Sequence, residues 1–373
     1  PVDIDRVLEL DQAVRDLSQQ QQQLTTEKNQ IGKQIGKIAG QLKKAADSEK
    51  ADLQSQMASL QQRPTEIKQQ EQKLLDQIGE LEPQLLTLLL CVPQPPAEDV
   101  PLGKDDTQNV ELRTWGKVPE FDFAPKDHVA LGESLGMIDV ERGVKLAGSR
   151  SYFLTGAGAL LHQAVLRMAF DMMVHEKGYA PMTVPVMVRE PAMVGTGYFP
   201  LGRDQSYELA DEDPAKFLVG TAEVSLTAYA MNEILDGSTL PQKTVAMSPC
   251  FRREAGTYGK DTAGLYRIHQ FDKVEQVIVC ENDIETSIKL HDEILNNSQE
   301  MLERLNLPYR VVYVCSGDLG QGQVAKYDIE TWMPSRNAYC ETHSASRFYD
   351  FQARRLNMRY KDAGGKTRFC HTL

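Results

Sequence analysis

A chain of 373 residues, 41% hydrophobic and 25% charged, is long enough for two or three domains and a large core. Its formal net charge of −12 excludes a generally basic nucleic-acid binder while leaving room for a local basic patch. No apolar run approaches the roughly 20 residues of a membrane span, the start shows no signal-peptide pattern, and LLTLLLCV at 85–92 is short and followed by prolines, so a cytoplasmic protein is expected. Six scattered cysteines with no C-x-x-C read as reduced thiols rather than a disulfide framework or a zinc site.

Residues 1 to about 92 are Gln-rich, charged and without aromatics. Apolar positions step by three and four through Val7, Leu10, Val14, Leu17, Leu24, Ile31, Ile35, Ile38 and Leu42, with Gln21 and Lys28 on the same seam. A second series runs through Leu53, Met57, Leu60, Pro64, Ile67, Glu71, Leu74, Ile78, Leu81, Leu85 and Leu88. Two such series around the polar 46–52 predict an antiparallel coiled-coil hairpin, each helix reaching roughly 60 Å at 1.5 Å per residue. Folding near residue 47 sets Leu42 against Leu53, Leu24 against Glu71 and Lys28 against Ile67. Lys28 and Glu71 then fall in adjacent layers and are expected to pair or snorkel rather than sit buried alone, and Pro64 on the seam is expected to kink the second helix. Lys28, Lys33, Lys37, Lys43 and Lys44 form a positive stripe, which is a solvated coiled-coil face, an oligomerisation arm or a surface for a phosphate backbone.

The prolines of 91–103 predict a boundary, with a linker over 93–110 and a mixed α/β domain from 111 to 373. There, 159–178 has helical periodicity and stops at Gly178. The apolar 179–188 reads as a strand whose prolines confine it to an edge or interface. The segment 216–235 reads as strand, turn and helix with Thr221 and Glu223 at the join, and 282–305 as a helix. Strands are expected at 309–317, at 326–334, within 337–361 and after the turn at 362–365. Neither GAGALL at 156–161 nor GGKT at 364–367 fits a nucleotide-binding glycine motif in its context.

The stretch 248–280 predicts two strands joined by a polar loop over 255–267. Alternation puts Phe271, Lys273 and Glu275 on one face, and Arg252 and Glu254 together likewise. By spacing alone this is either a hairpin with a solvated charged loop or a floor for a nucleotide, with arginine for phosphate and an aromatic ring for the base.

GTAE at 220–223, FRRE at 251–254, GLYRIHQFDKVEQ at 264–276, DIETWMP at 328–334 and ETHS at 341–344, in that order, resemble the bacterial type of seryl-tRNA synthetase over nearly the whole chain. The resemblance implies an α+β fold: a coiled-coil arm, then a class II antiparallel sheet flanked by helices. It implies a homodimer whose interface includes 159–188, and an arm that reaches for the long variable arm of serine tRNA through the lysine stripe. By motif position, Arg252 and Glu254 are the catalytic pair, Arg252 on the α-phosphate of ATP and Glu254 on the adenine amino group, with Phe271 stacked on the base. Arg253, Ile268, Glu341, Thr342, His343 and Ser344 complete the ATP site, Glu341 and Ser344 also holding Mg²⁺. Thr221, Ala222, Glu223 and Glu275 take serine, Glu275 accepting a hydrogen bond from its hydroxyl.

The family's short helical segment before the arm is missing, and the chain stops at Leu373, before its third motif. The resemblance thus implies a natural chain longer at both ends, and very low activity without that motif. No Cys/His set suggests zinc. A ligase loading an amino acid onto a carrier protein, and an inactive synthetase-like binding protein, are the alternatives; the long arm speaks against the first.

Overall fold

The computed structural model describes residues 2–44, 46–256 and 264–373. The chain forms two compact units, Pro1–Val92 and Pro93–Leu373. The expected polar loop at 255–267 therefore falls partly, over 257–263, outside the described residues.

The first unit is a helical hairpin of α1 (Ile4–Leu42) and α2 (Asp47–Leu89). Asp3 caps α1 by accepting the backbone N–H of Arg6 at 3.0 Å. Val7, Leu10 and Leu85 are buried with Val14, Leu81 and Leu88, which matches the register expected from the two heptad series. Glu71 is 8% exposed and receives Lys28 Nζ at 2.6 Å and Thr25 Oγ1 at 2.7 Å, so the seam ion pair forms as expected. These donors hold the Glu71 carboxyl below its ordinary value. Pro64, placed where a kink was expected, lies inside a helix that continues through it and through Pro83.

In the second unit the prolines of 93–103 do not hang free. Gln94 and Ala97 donate backbone hydrogen bonds to Gln321 and Val324, at 2.7 and 2.8 Å, and Val100 is buried against Tyr313 and Ala325. The elements that build the site and its sheets begin with β1 (Val110–Trp115), α3 (Ala157–Asp171), β2 (Ala180–Met182), β3 (Met187–Arg189), β4 (Tyr207–Glu208), β5 (Lys216–Leu218) and α4 (Glu223–Thr227). After them come β6 (Ile234–Asp236), β7 (Gln242–Phe251), β8 (Gln270–Cys280), α5 (Ile284–Arg304) and β9 (Tyr309–Tyr313). The chain then runs through β10 (Ala325–Met333), β11 (Ala338–Arg347), α6 (Phe351–Leu356), β12 (Arg359–Lys361), β13 (Thr367–Phe369) and β14 (His371–Thr372).

Two four-stranded sheets carry the unit, ordered β1-β9-β10-β11, all antiparallel, and β14-β8-β7-β2, in which β2 runs parallel to β7 at the edge. Both lay one face on a shared core with α5. Val245 and Ile278 of one sheet and Val311, Ile329 and Ala345 of the other bury against Leu290, Ile294 and Leu295. The run 179–188, expected as one strand, is two. Its prolines split it into β2 at the edge of one sheet and β3 at the edge of the small sheet β3-β5-β4. Short α6 was not anticipated within 337–361, and the last strand divides at Cys370 into β13 and β14, in different sheets. All six cysteines are free thiols, and no helix among the described residues is long and apolar enough to cross a membrane.

α5 also supplies a pH-sensitive brace. His291 is 1% exposed, stacks on Tyr327 at 4.8 Å and shares a 2.8 Å hydrogen bond between Nε2 and the carbonyl of Ala345 on β11. Burial pushes its imidazole down to about 4 from 6.5, so in the fold it is the neutral ring that donates. The unfolded chain would bind the proton first. Its stabilising contribution is therefore full above pH 6.5 and is lost as pH falls from 6.5 toward 4, up to about 3 kcal/mol. Urea midpoints compared between pH 7 and 4.5 should fall more steeply for the native chain than for His291→Gln. Parallel pH profiles for the two would refute this role.

Candidate active site

The sheet face away from α5 carries the polar constellation. On β8, Phe271, Lys273 and Glu275 alternate onto that face, and Val277 continues it into a small core with Ala222, Leu226 and Ala246. The loop between β5 and α4 brings Thr221, buried at 1% exposure, against this strand. Its hydroxyl donates to Glu275 Oε2, and accepts from Lys273 Nζ at 2.8 Å and from the Glu223 backbone N–H at 3.2 Å. One donor and two acceptor sites are thus all used. Lys273 Nζ also lies 2.5 Å from Glu275 Oε2. Among the described residues nothing donates to Glu275 Oε1, which is left able to accept from a ligand.

Glu223 opens α4, with Tyr198 donating to its Oε2 at 2.9 Å and Gln352 Nε2 to its Oε1 at 2.7 Å. Burial first, and the Glu275 carboxylate second, raise the Glu223 carboxyl above its ordinary value. Gln352, 1% exposed on α6, is itself fixed by donating to the Thr196 carbonyl at 3.2 Å and accepting from Thr372 Oγ1 at 2.6 Å. Ala222 is fully buried, so it shapes the pocket wall and offers no side-chain polar group.

Arg252 lies with its guanidinium carbon 5.1 Å from the Phe271 ring centroid and donates Nε–H to the Gly220 carbonyl at 3.3 Å. The phosphate-type cation, the aromatic ring and the T-x-E loop therefore meet in one place. They do not do so by the strand alternation expected of Arg252 and Glu254. β7 ends at Phe251, and Glu254 takes a left-handed conformation with φ of 51°, its carboxylate paired with Arg267 at 2.9 Å. Ile268 is 8% exposed and precedes β8, which begins only at Gln270. Arg253 donates its backbone N–H to Gln205 at 2.9 Å and its side chain is exposed.

Glu341 and Ser344 stand three apart on β11, a spacing that places side chains on opposite faces of a regular strand. A β-bulge removes that difference. Glu341 pairs with Glu330 and Ser344 with Asp328, two residues apart on β10, so both share one face. Thr342 serves the bulge, its hydroxyl 2.7 Å from Thr331 Oγ1 and 3.3 Å from the Ile329 carbonyl. His343 pairs with core Ile329, away from the Ser344 face, and burial brings its imidazole down to about 4. Tyr266 OH donates to the Glu341 carbonyl at 3.2 Å, tying the approach to β8 onto β11.

Mg²⁺ sites of the nucleotide type use one or two protein oxygens plus phosphates. Glu341 and Ser344 supply such a pair. Opposite Ser344, Asp328 is 6% exposed and salt-bridged to Lys326 at 2.9 Å, yet its buried Oδ1 has no donor among the described residues, a local preference for added positive charge. The residues fit the ion, although no group of three His, Cys, Asp or Glu able to hold a metal occurs among the described residues.

Lys273, Tyr198 and Gln352 were not among the expected site residues. Lys273 was on the right face by alternation. Tyr198 and Gln352 lie 25 and 129 residues from Glu223, and no local pattern signals them.

On the arm, Lys33, Lys37, Lys43 and Lys44 are exposed, and none makes an ion pair among the described residues. Lys28 differs, since its charge is engaged by Glu71.

An antiparallel sheet bearing an arginine, an aromatic ring and carboxylates on a strand pair, flanked by helices, is the catalytic core of a class II aminoacyl-tRNA synthetase. Residues 207–373 match the family model described as the tRNA synthetase class II core domain (G, H, P, S and T), and residues 1–82 match the seryl-tRNA synthetase N-terminal domain. The serine–tRNA ligase of Deinococcus radiodurans is 44% identical over 297 residues, 80% of this chain and 69% of that protein. That of Fervidobacterium nodosum is 46% identical over 295 residues, 79% and 68%. The crystal structure of seryl-tRNA synthetase from Pyrococcus horikoshii complexed with ATP superposes with a TM-score of 0.87 at 37% identity, covering 99% of this chain and 83% of that one. The chain belongs to the seryl-tRNA synthetase family, the ligases that join serine to tRNA.

Proposed function

We propose that this chain activates serine with ATP and passes it to the 3′ end of serine tRNA, using the residues gathered on β8 and the β5–α4 loop. The observation that carries the reading is the clustering of Thr221, Glu223, Lys273 and Glu275 beside the Arg252–Phe271 pair. A serine carboxylate oxygen attacks the α-phosphorus of ATP as the bond to pyrophosphate breaks, leaving seryl-adenylate. A terminal ribose hydroxyl of tRNA then attacks the activated carbonyl, and AMP leaves. Neither step forms a bond to the protein, so positioning and charge stabilisation carry the catalysis. Arg252 meets the charge on the α-phosphate, Phe271 stacks on the adenine, Glu223 takes the ammonium of serine, and Glu275 Oε1 accepts from its hydroxyl. When bound by Glu341 and Ser344, Mg²⁺ would neutralise phosphate charge. Glu254 is already paired with Arg267 and Lys28 with Glu71, so adenine and tRNA would each meet a side chain that has a protein partner.

The lysines at 33, 37, 43 and 44 suit the phosphates of a tRNA arm, which is recognised by shape more than by base identity. A homodimer through the α3–β2 region is supported by Leu160 and Leu161, 74% and 58% exposed on α3. The test is serine-dependent ATP–pyrophosphate exchange, read against alanine and threonine. Exchange with serine alone is the expected result, and exchange indifferent to the side-chain hydroxyl would overturn the reading.

A further inference from the structure

We propose that Lys273 is the positioning residue of the serine pocket, its ammonium holding Oε2 of Glu275 and the Thr221 hydroxyl so that Oε1 of Glu275 is left to read the substrate's hydroxyl. This role rests on the serine contacts proposed for Thr221 and Glu275. The geometry points to it in three ways. Lys273 Nζ lies 2.8 Å from Thr221 Oγ1 and 2.5 Å from Glu275 Oε2, while Oε1 receives no donor from a described residue. Thr221 must then direct its own proton to Glu275, because both of its acceptor sites are filled by Lys273 and by the Glu223 N–H. Two groups that would otherwise rotate are set by one cation, as preorganised recognition of a hydroxyl requires.

Charge adds a second reason. Glu223 and Glu275 repel one another, and the Lys273 ammonium pulls the Glu223 carboxyl back toward its ordinary value. A pocket with two carboxylates and one built-in ammonium retains a single net negative charge for the ammonium of an amino acid. The Lys273 side chain is 32% exposed and Glu275 19%, so the clamp sits at the pocket wall, within reach of a ligand. Without it, both Glu275 oxygens would compete for Thr221, and the hydroxyl's partner would no longer have one orientation.

The test uses the full chain and measures serine KM, ATP KM and the serine-over-alanine ratio in pyrophosphate exchange, with L-serine binding followed in parallel by calorimetry. Lys273→Met should raise serine KM at least about 10-fold and shrink the serine-over-alanine ratio by a similar factor, with ATP KM within about threefold, which also reports an intact fold. Lys273→Arg keeps the charge and donors and should restore at least part of both losses. Unchanged serine KM and ratio in Lys273→Met would overturn the proposal. So would an arginine variant no better than methionine, which would mean that the donors and charge do not matter. Glu275→Gln separates the two layers. If it collapses the ratio while Lys273→Met does not, the clamp fails and the serine reading stands. If it leaves the ratio intact, the serine reading itself has failed.

Discussion

Glu275→Ala should raise the KM for serine roughly 100-fold while leaving the KM for ATP within about threefold. A hydrogen bond to a charged acceptor contributes about 1.5–3 kcal/mol, and sites built around a substrate hydroxyl reject the analogue that lacks it. The split between substrates follows from the geometry. Glu275 is held by Thr221 and Lys273 on the serine side, whereas the ring and guanidinium proposed for the nucleotide, Phe271 and Arg252, contact each other and the Gly220 carbonyl. The variant should also lose most of its preference for serine over alanine, because the group that penalises a missing hydroxyl is gone. Equal loss for serine and ATP would instead mean that Glu275 supports the sheet and not the substrate.

Deleting residues 20–75 should leave serine-dependent pyrophosphate exchange nearly unchanged and reduce aminoacylation more than about 100-fold. The cut, closed by a short Gly-Ser turn, removes Lys33, Lys37, Lys43 and Lys44 together with the Lys28–Glu71 pair. It spares the cluster of Val7, Leu10, Val14, Leu81, Leu85 and Leu88, so the stubs of α1 and α2 keep their own apolar seam. Phosphate contacts of this kind release counterions and give tRNA affinity a steep salt dependence, which should flatten in the deletion. Reversing Lys33 and Lys37 to glutamate should weaken charging in the same direction with the hairpin intact, since both are exposed and free of ion pairs among the described residues. Charging that survives the deletion at normal rates would remove the arm from tRNA recognition.

The arm was the most legible part of the chain because a coiled coil is nearly one-dimensional. Once the turn is placed near residue 47, every seam partner follows by counting, and both the Lys28–Glu71 pair and the Val7, Leu10 and Leu85 layers lie where counting puts them. On β8 the two-residue period of a strand likewise sufficed to put Phe271, Lys273 and Glu275 on one face. Periodicity failed where the backbone leaves its period. Glu254 has φ of 51° beyond the end of β7, so the alternation assumed for it with Arg252 does not exist. The bulge on β11 does the reverse, bringing Glu341 and Ser344 to one face from a spacing that should divide them.

The residues that hold the site in place were outside the reach of the sequence for a different reason. Tyr198 and Gln352 meet at Glu223 only because the chain brings α6 and the segment between β3 and β4 onto the start of α4, and a hydrogen bond across 129 positions leaves no local pattern. Local period and residue chemistry determined which side chains could act and on which strand face they stand. Tertiary closure decided which carboxylate oxygens already have a protein donor, both on Glu223 and one on Glu275, and left Oε1 of Glu275 without one among the described residues.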